Sequence, residues 1–310
     1  MKKTIVLIKM IFTCGLFLIL VGLTIIRENE IKSIINTYLV PNNTKITIDH
    51  KNKYYRDYNF LIVQNTDNFS PNNYQDLLNI FYTVINSGNN SFTFYCPKDY
   101  NNCIKDIETI ANNQYLLSNI NNYVHPFNGF SHIETDYDSL RRVNINLIKS
   151  YTTEEITAIE EKVNELYPLL VNENKSIEEN ILSVHDYIIN NTKYDSQRSN
   201  NNIVTYRSDI AYGPLFEGYA ICGGYTDLME LFLEKMKVKS FKISSENHVW
   251  NAVYLNNKWY HLDLTWDDPV ANNGKNYLEH DYFLIDTNKL LNMEINQHQF
   301  NKEIYKEFAE

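Results

Sequence analysis

The sequence predicts an α+β protein in which a helical layer packs on an antiparallel sheet, with a small α/β region and one transmembrane helix on its N-terminal side. Three observations carry this. A helical pattern after Cys222 leads into two β-rich runs, His248–Tyr254 and Trp259–Thr265, joined by a short polar turn. Strand-like and helix-like stretches alternate between residues 59 and 151. Residues 5–26 are apolar apart from Lys9. Composition agrees: 310 residues, 44% hydrophobic and 14% aromatic, with only 9 Gly and 7 Pro, can bury a sizeable core and exclude a collagen-like or low-complexity chain.

Residues 1–27 are expected to be the membrane anchor. Ile5 to Ile26 spans 22 residues, about 33 Å as a helix, against a bilayer core of about 30 Å. Lys2, Lys3 and Lys9 favour a cytoplasmic N-terminus, Lys9 snorkelling from near the end of the span. A cleavable leader needs a small-residue site, yet the first alanine is Ala111, so the anchor should stay attached. Cys14 sits within the span and reads as a packing residue. The C-terminal domain is then extracytoplasmic. The three anchor lysines leave it 25 basic against 38 acidic side chains, a formal charge of −13, which argues against binding nucleic acid or anionic lipid.

Residues 28–55 read as a stalk, with Glu28–Leu39 amphipathic and Pro41-Asn-Asn ending it. Residues 56–150 read as a small α/β accessory region: a strand at Phe60–Val63, a helix at Asn72–Ile85, a strand at Ser91–Tyr95, a helix at Lys98–Ala111, and β-like runs near His132–Tyr137 and Arg142–Tyr151. The region holds no nucleophile or ligand cluster, so structural support is its expected role and substrate positioning the alternative. Cys96 and Cys103 are close enough in sequence to pair as a disulfide, which an oxidising exterior would preserve.

Residues 151–310 are the expected catalytic domain. Thr153 is expected to cap a helix carrying Ile156, Ile159, Val163 and Leu166 on one face, with Pro168 ending or kinking it. Ser176-Ile-Glu-Glu has the capping-box pattern and starts a second helix to about Asn191, followed by Tyr194-Asp195. His185 and Asp186 on that helix point about 100° apart and are not expected to form a dyad. Ser196–Tyr212 is a polar loop expected to wall a cleft. Beyond the hairpin, Ala271–Gly274 reads as a turn, Tyr282–Ile285 as a last central strand, and the tail from Asp286 as peripheral.

The chemistry gathers between residues 218 and 268. A cysteine becomes a nucleophile when a helix N-terminus or a neighbouring imidazolium favours its thiolate. Cys222 precedes a run with Leu228, Leu231 and Phe232 at helical spacing, which places it at the positive end of the helix dipole. Gly223 and Gly224 would clear room for a substrate backbone. In the following hairpin, a turn centred one residue earlier than Asn256-Asn257 sets His248 directly opposite Asp263, and a turn centred between Asn256 and Asn257 pairs His248 with Thr265. Asp263 then becomes a diagonal neighbour of His248 on the same face, placed to orient the imidazole. Tyr219, Gly223 and Trp250 are candidates to line the cleft. A ligand set of His248, His261 and Asp263 is the chemical competitor. With no His-Glu-x-x-His motif and no paired cysteine spacing, no metal or cofactor is expected.

Three segments, Gly218-Tyr-Ala-Ile-Cys222-Gly-Gly-Tyr225, Glu246-Asn-His248-Val-Trp-Asn251 and Trp259-Tyr-His-Leu-Asp263-Leu-Thr-Trp-Asp-Asp268, resemble the transglutaminase-like superfamily, as does the helix ending before Tyr194-Asp195. The resemblance covers roughly residues 150–290. It implies a papain-like core with a Cys222, His248, Asp263 triad, and thiol-dependent acyl transfer or hydrolysis on peptide or glutamine amides at the cell surface. Its partners would be protein or peptide substrates, cell-wall peptides among them. The 26-residue separation of Cys222 and His248 is shorter than in the large animal transglutaminases, whose accessory domains are also missing. The alternatives are a cysteine peptidase or amidase proper, and a noncatalytic peptide- or wall-binding module that kept the fold.

Overall fold

The computed structural model describes residues 27, 28, 30, 46–270, 277–293 and 296–308. The expected span over 5–26, most of the stalk helix and the turn at 271–274 lie outside them. Among the described residues no helix is long and apolar enough to cross a membrane.

Helix α1 (Tyr74–Ser87) starts where the Asn73 side chain accepts from the Asp76 amide. It is followed by β1 (Ser91–Tyr95), α2 (Cys103–Asn112), α3 (Gln114–Asn121), β2 (Phe130–Tyr137) and β3 (Arg142–Lys149), the strands forming an antiparallel sheet in the order β1-β3-β2. Cys96 and Cys103 are joined as a disulfide, Cα atoms 5.7 Å apart, tying the end of β1 to the start of α2. The expected strand at Phe60–Val63 is instead a tight turn, in which the Phe60 amide donates to the Val63 carbonyl at 3.0 Å. Phe60 and Val63 are buried while Leu61 is exposed, so burial recurs at a spacing of three and not in alternation. The helix expected from Lys98 begins only at Cys103, and a second helix that the sequence reading passed over, α3, restarts where the Asn113 side chain caps Leu116.

The second half opens with α4 (Thr153–Leu170) and α5 (Ile177–Asn191). Thr152, not Thr153, caps α4: its hydroxyl accepts from Glu155 N while the Glu155 carboxylate accepts from Thr152 N. Pro168 lies within the final turn without ending it, because a proline there forfeits only one helical bond near a terminus that has few left to make. Ser176 and Glu179 form the same reciprocal box for α5. The short strand β4 (Lys193–Tyr194) leads to α6 (Ser196–Asn201) and pairs in parallel with β5 (Tyr219–Ala220), just before α7 (Cys222–Lys235).

The second antiparallel sheet, β6 (Ser240–Ser244), β7 (Val249–Leu255) and β8 (Lys258–Leu262), has the order β6-β7-β8. The β7–β8 turn is Asn256-Asn257, with φ of 51° and 63°, the doubly left-handed conformation that closes a two-residue hairpin. Both faces of β7 are covered. Trp250 and Ala252 join one core with Phe60, Phe81, Tyr123 and Tyr305, while Val253 and Leu255 join another with Ile159, Ile181, Val184 and Phe232. The sheet therefore lies between a helical layer of α4, α5 and α7 and a layer built from the accessory region and the tail.

Two expectations about the C-terminal part are corrected. Tyr282–Ile285 is not a strand: a single bridge joins Ile285 to His261, and Leu284 at φ 47° breaks the extended run. The tail after Asp286, which begins with α8 (Thr287–Asn292), is not peripheral, since Leu290, Tyr305 and Phe308 are buried in the core beside Phe241 and His261.

Candidate active site

Cys222 is the first residue of α7, and the residue before it, Ile221, offers no side-chain cap. Gly224 N donates to the Ile221 carbonyl at 3.0 Å, which leaves the amides of Cys222 and Gly223 without an acceptor in the helix or its cap. Parallel pairing of Tyr194 with Ala220 fixes the chain two residues upstream. The loop after α6 is held against it, Ile221 N donating to Ser208 O at 2.8 Å, Ser208 Oγ donating to Asp195 Oδ2 at 2.7 Å, and Arg198 pairing with Asp209 at 2.8 Å. This close approach explains the two glycines. A Cβ on Gly223 would stand 2.6 Å from the Asp209 carbonyl oxygen, and one on Gly224 2.4 Å from that of Ser208. Room for the loop backbone, more than for a substrate, is what they provide.

His248 directly precedes β7 and Asp263 directly follows β8, and the hairpin brings them together: His248 Nε2 lies 2.6 Å from Asp263 Oδ2. Cys222 lines the same cavity as the ring, and its sulfur favours the charged imidazole. Burial works to lower the His248 pKa, but the Asp263 carboxylate and the Cys222 sulfur outweigh it and raise the value to about 10. Asp263 is itself buried, and the two histidines beside it hold its carboxyl well below the ordinary range. Its Oδ1 accepts from Thr265 N at 3.0 Å.

The second histidine is His298, which no sequence reading picked out. Its Nε2 donates to Asp263 Oδ2 at 2.7 Å, while its Nδ1 is buried without a partner, so the Nε2–H tautomer suits both nitrogens. Trp250 and Tyr282 hold the ring, centroids 4.9 and 5.0 Å away. Located 35 residues after Asp263, within Asn296-Gln-His-Gln-Phe300, it follows no periodicity and matches no spacing that would have flagged it. His261 stands apart from these groups. It accepts from Trp250 Nε1 at 3.0 Å and meets Thr287 Oγ1 at 3.1 Å, and burial lowers its pKa to about 3.

Cys222, Gly223 and His248 open into a cavity of about 550 Å³. Asp209 and Ile210 form one side, Ser244–Asn247 another, and Gln114, Tyr115, Asn119 and Asn122 of the accessory region a third. The accessory region thus lines part of this cavity. Of the three cleft candidates only Gly223 is in this lining. Tyr219 stacks on Tyr206, centroids 4.1 Å apart, and Trp250 is fully buried behind the His248 ring at 5.6 Å.

The raised His248 value has a measurable consequence. An unfolded histidine titrates near pH 6.5. The stabilisation from His248 is therefore complete below about pH 6.5 and is lost as pH rises toward its folded value of about 10. That from Asp263, whose pKa is lowered, is present above about pH 4 and is lost on acidification. Urea unfolding should give a free energy that falls between pH 7 and pH 9, with the slope reduced in His248→Gln. An equal slope in the variant would show that His248 is not held as an imidazolium.

No family model matches this sequence, and no curated protein does. Two solved structures are similar to parts of the chain. One is described as a TGase, 15% identical with a TM-score of 0.34 over 44% of each chain. The other, described as a candidate cysteine protease from Cytophaga hutchinsonii, is 13% identical with a TM-score of 0.27 over 43% of this chain and 61% of that one. The chain thus spans less than two thirds of either. Both likenesses are slight, and the chemistry proposed for this protein rests on its own side chains.

Proposed function

We propose that this protein is a thiol-dependent acyltransferase or hydrolase of the transglutaminase-like type, with Cys222 as nucleophile, His248 as general acid and base, and Asp263 as the carboxylate that orients it. The observation that carries this reading is the His248 ring bonded to Asp263 and sharing one cavity with Cys222, whose sulfur stands at the start of α7 and favours the charged ring. Packing of α4, α5 and α7 on one face of the β6-β7-β8 sheet supports the papain-like arrangement that the resemblance implies.

The Cys222 sulfur attacks the carbonyl carbon of a peptide or glutamine amide. Negative charge on the carbonyl oxygen is met by unpaired amides at the start of α7. His248 gives its proton to the departing amine, leaving a thioester on Cys222. An amine or a water then attacks the thioester, His248 takes its proton, and the thiol is released. The apolar run at residues 5–26 supports a reading in which this work lies outside a membrane, on peptides within reach of a short stalk.

The test is to incubate the full chain with glutamine peptides and a labelled primary amine, and to follow amine incorporation, deamidation and peptide cleavage by mass spectrometry. At least one product should accumulate. If none does, and Cys222 also resists iodoacetamide at neutral pH, the reading is wrong.

His298 is a positioning residue in this scheme, acting through Asp263. His298→Phe keeps an aromatic ring but removes the donor, so the rate should drop by about 10-fold or more, the worth of a hydrogen bond to a charged group. Without that bond the Asp263 carboxylate is easier to protonate, so the acid limb of the pH–rate profile should move to higher pH. His298→Gln, which can still donate, should recover part of both. A lower rate with an unmoved acid limb would reduce His298 to packing.

A further inference from the structure

Away from the Cys222 cavity, the described residues hold a second cluster of histidine and carboxylate, formed by His185 and Asp186 of α5 and His280 in the loop before α8. His185 Nδ1 and His280 Nε2 each lie 2.8 Å from the same oxygen, Asp186 Oδ1. Adjacent helical positions were expected to hold His185 and Asp186 apart, yet the two side chains meet at the helix surface. On the far side of its ring, His185 Nε2 lies 3.1 Å from Asp267 Oδ2, and Asp267 is fixed in turn by accepting from Tyr282 N at 3.0 Å. His185 and the Asp267 side chain are fully buried, whereas the side chains of Asp186 and His280 are 32% and 44% exposed.

Proton counting makes this arrangement informative. A neutral imidazole has one N–H, but each His185 nitrogen faces a carboxylate oxygen. With the proton on Nε2, donated to Asp267, the Nδ1 lone pair points at a lone pair of Asp186. A ring anchored through one nitrogen to a buried carboxylate, with its other nitrogen presented as a lone pair, has the polarity of a metal ligand. The ligand atoms of His185, Asp186 and His280 all lie within 4.8 Å of one another. Tetrahedral bonds of about 2.0–2.1 Å place ligand atoms roughly 3.3 Å apart, so a swing of about half an ångström in the half-buried Asp186 side chain opens both 2.8 Å contacts to that spacing.

We propose that His185 Nδ1, Asp186 and His280 Nε2 bind a divalent cation of the zinc class, with Asp267 holding His185 in the ligating tautomer and a fourth position open to water. Two imidazoles and one carboxylate suit zinc over calcium or magnesium, which prefer all-oxygen ligands. The cation would join α5 to the segment that carries Asp263, because Asp267 N donates to the Asp263 carbonyl at 3.3 Å and the neighbouring Asp268 accepts from Tyr225 of α7. The site does not depend on what Cys222 does.

The test titrates Zn²⁺ into the full chain carrying Cys222→Ala, which removes the thiol as a competing ligand, and measures heat and stoichiometry. One equivalent should bind. Adding His280→Ala at an exposed position or Asp186→Asn at a half-buried one should weaken binding at least tenfold without lowering the melting temperature of the metal-free protein. Asp267→Asn should weaken it about 10- to 100-fold, as loss of an outer carboxylate does. Absence of zinc uptake would overturn the proposal. Uptake unchanged by His280→Ala and Asp186→Asn would overturn it as well.

Discussion

Cys222→Ala should eliminate amine incorporation, deamidation and cleavage together, by about 10⁴-fold or more, while leaving the melting temperature nearly unchanged. Removing the nucleophile of a covalent mechanism costs nearly the whole chemical acceleration, because the remaining groups act only through it. The fold should not notice. Cys222 is only partly buried, alanine retains its Cβ, and the tight contacts at the start of α7 are made by Gly223 and Gly224 against backbone carbonyls. Because the Cys222 sulfur helps to raise the His248 pKa, the same variant should bring the His248 titration to lower pH by NMR. Retained turnover in Cys222→Ala would remove the thiol from the mechanism, and a collapsed melting temperature would make the cysteine structural.

The largest expected effect on stability lies elsewhere, at Glu230 of α7. Its carboxylate is fully buried and pairs with the buried Arg56 guanidinium, which also donates to the carbonyls of Tyr123 and Ser240 at 3.1 and 3.2 Å. Ser240 Oγ and Asn251 Nδ2 donate to Glu230 at 3.0 and 2.9 Å. Glu230→Ala leaves the guanidinium buried without its nearest counter-charge, a change that costs about 3–5 kcal/mol out of a total stability that is typically about 5–15 kcal/mol. Replacing both charges, as in Arg56→Met with Glu230→Leu, should cost much less, since no lone charge is left behind. Urea unfolding of the two variants measures the difference. A Glu230→Ala loss below about 1 kcal/mol would mean that the pair is not buried as described. The pair joins the first residue of the accessory region to α7, so the same experiment reads how firmly those layers are held together.

Much of this molecule was legible locally. The boxes at Thr152/Glu155 and Ser176/Glu179 are reciprocal bonds over three residues, and a four-residue motif announces them, although the first was placed one position late. The Asn256-Asn257 turn fixed the register that sets His248 near Asp263, because hairpin pairing counts outward from its turn. What misled the reading were patterns with two physical meanings. Phe60–Val63 and Tyr282–Ile285 are apolar runs that suit a strand, yet one closes as a turn and the other is broken by Leu284. Gly223 and Gly224 looked like room for a substrate, whereas loop carbonyls occupy that space.

From the sequence alone came the helix that starts at Cys222 and the hairpin that carries His248 and Asp263, because each is set by bonds or periodicities within a few turns of chain. Only tertiary structure could bring His298 onto Asp263, the accessory region onto the cavity, and His280 onto Asp186. Those contacts join segments tens of residues apart: Phe60, Phe241, Tyr305 and Phe308 bury the tail and the accessory region against one face of the sheet, while His185 and His280 meet around Phe283 on the other. No local pattern records that packing, since the hydrophobic effect rewards burial of area without specifying the partner.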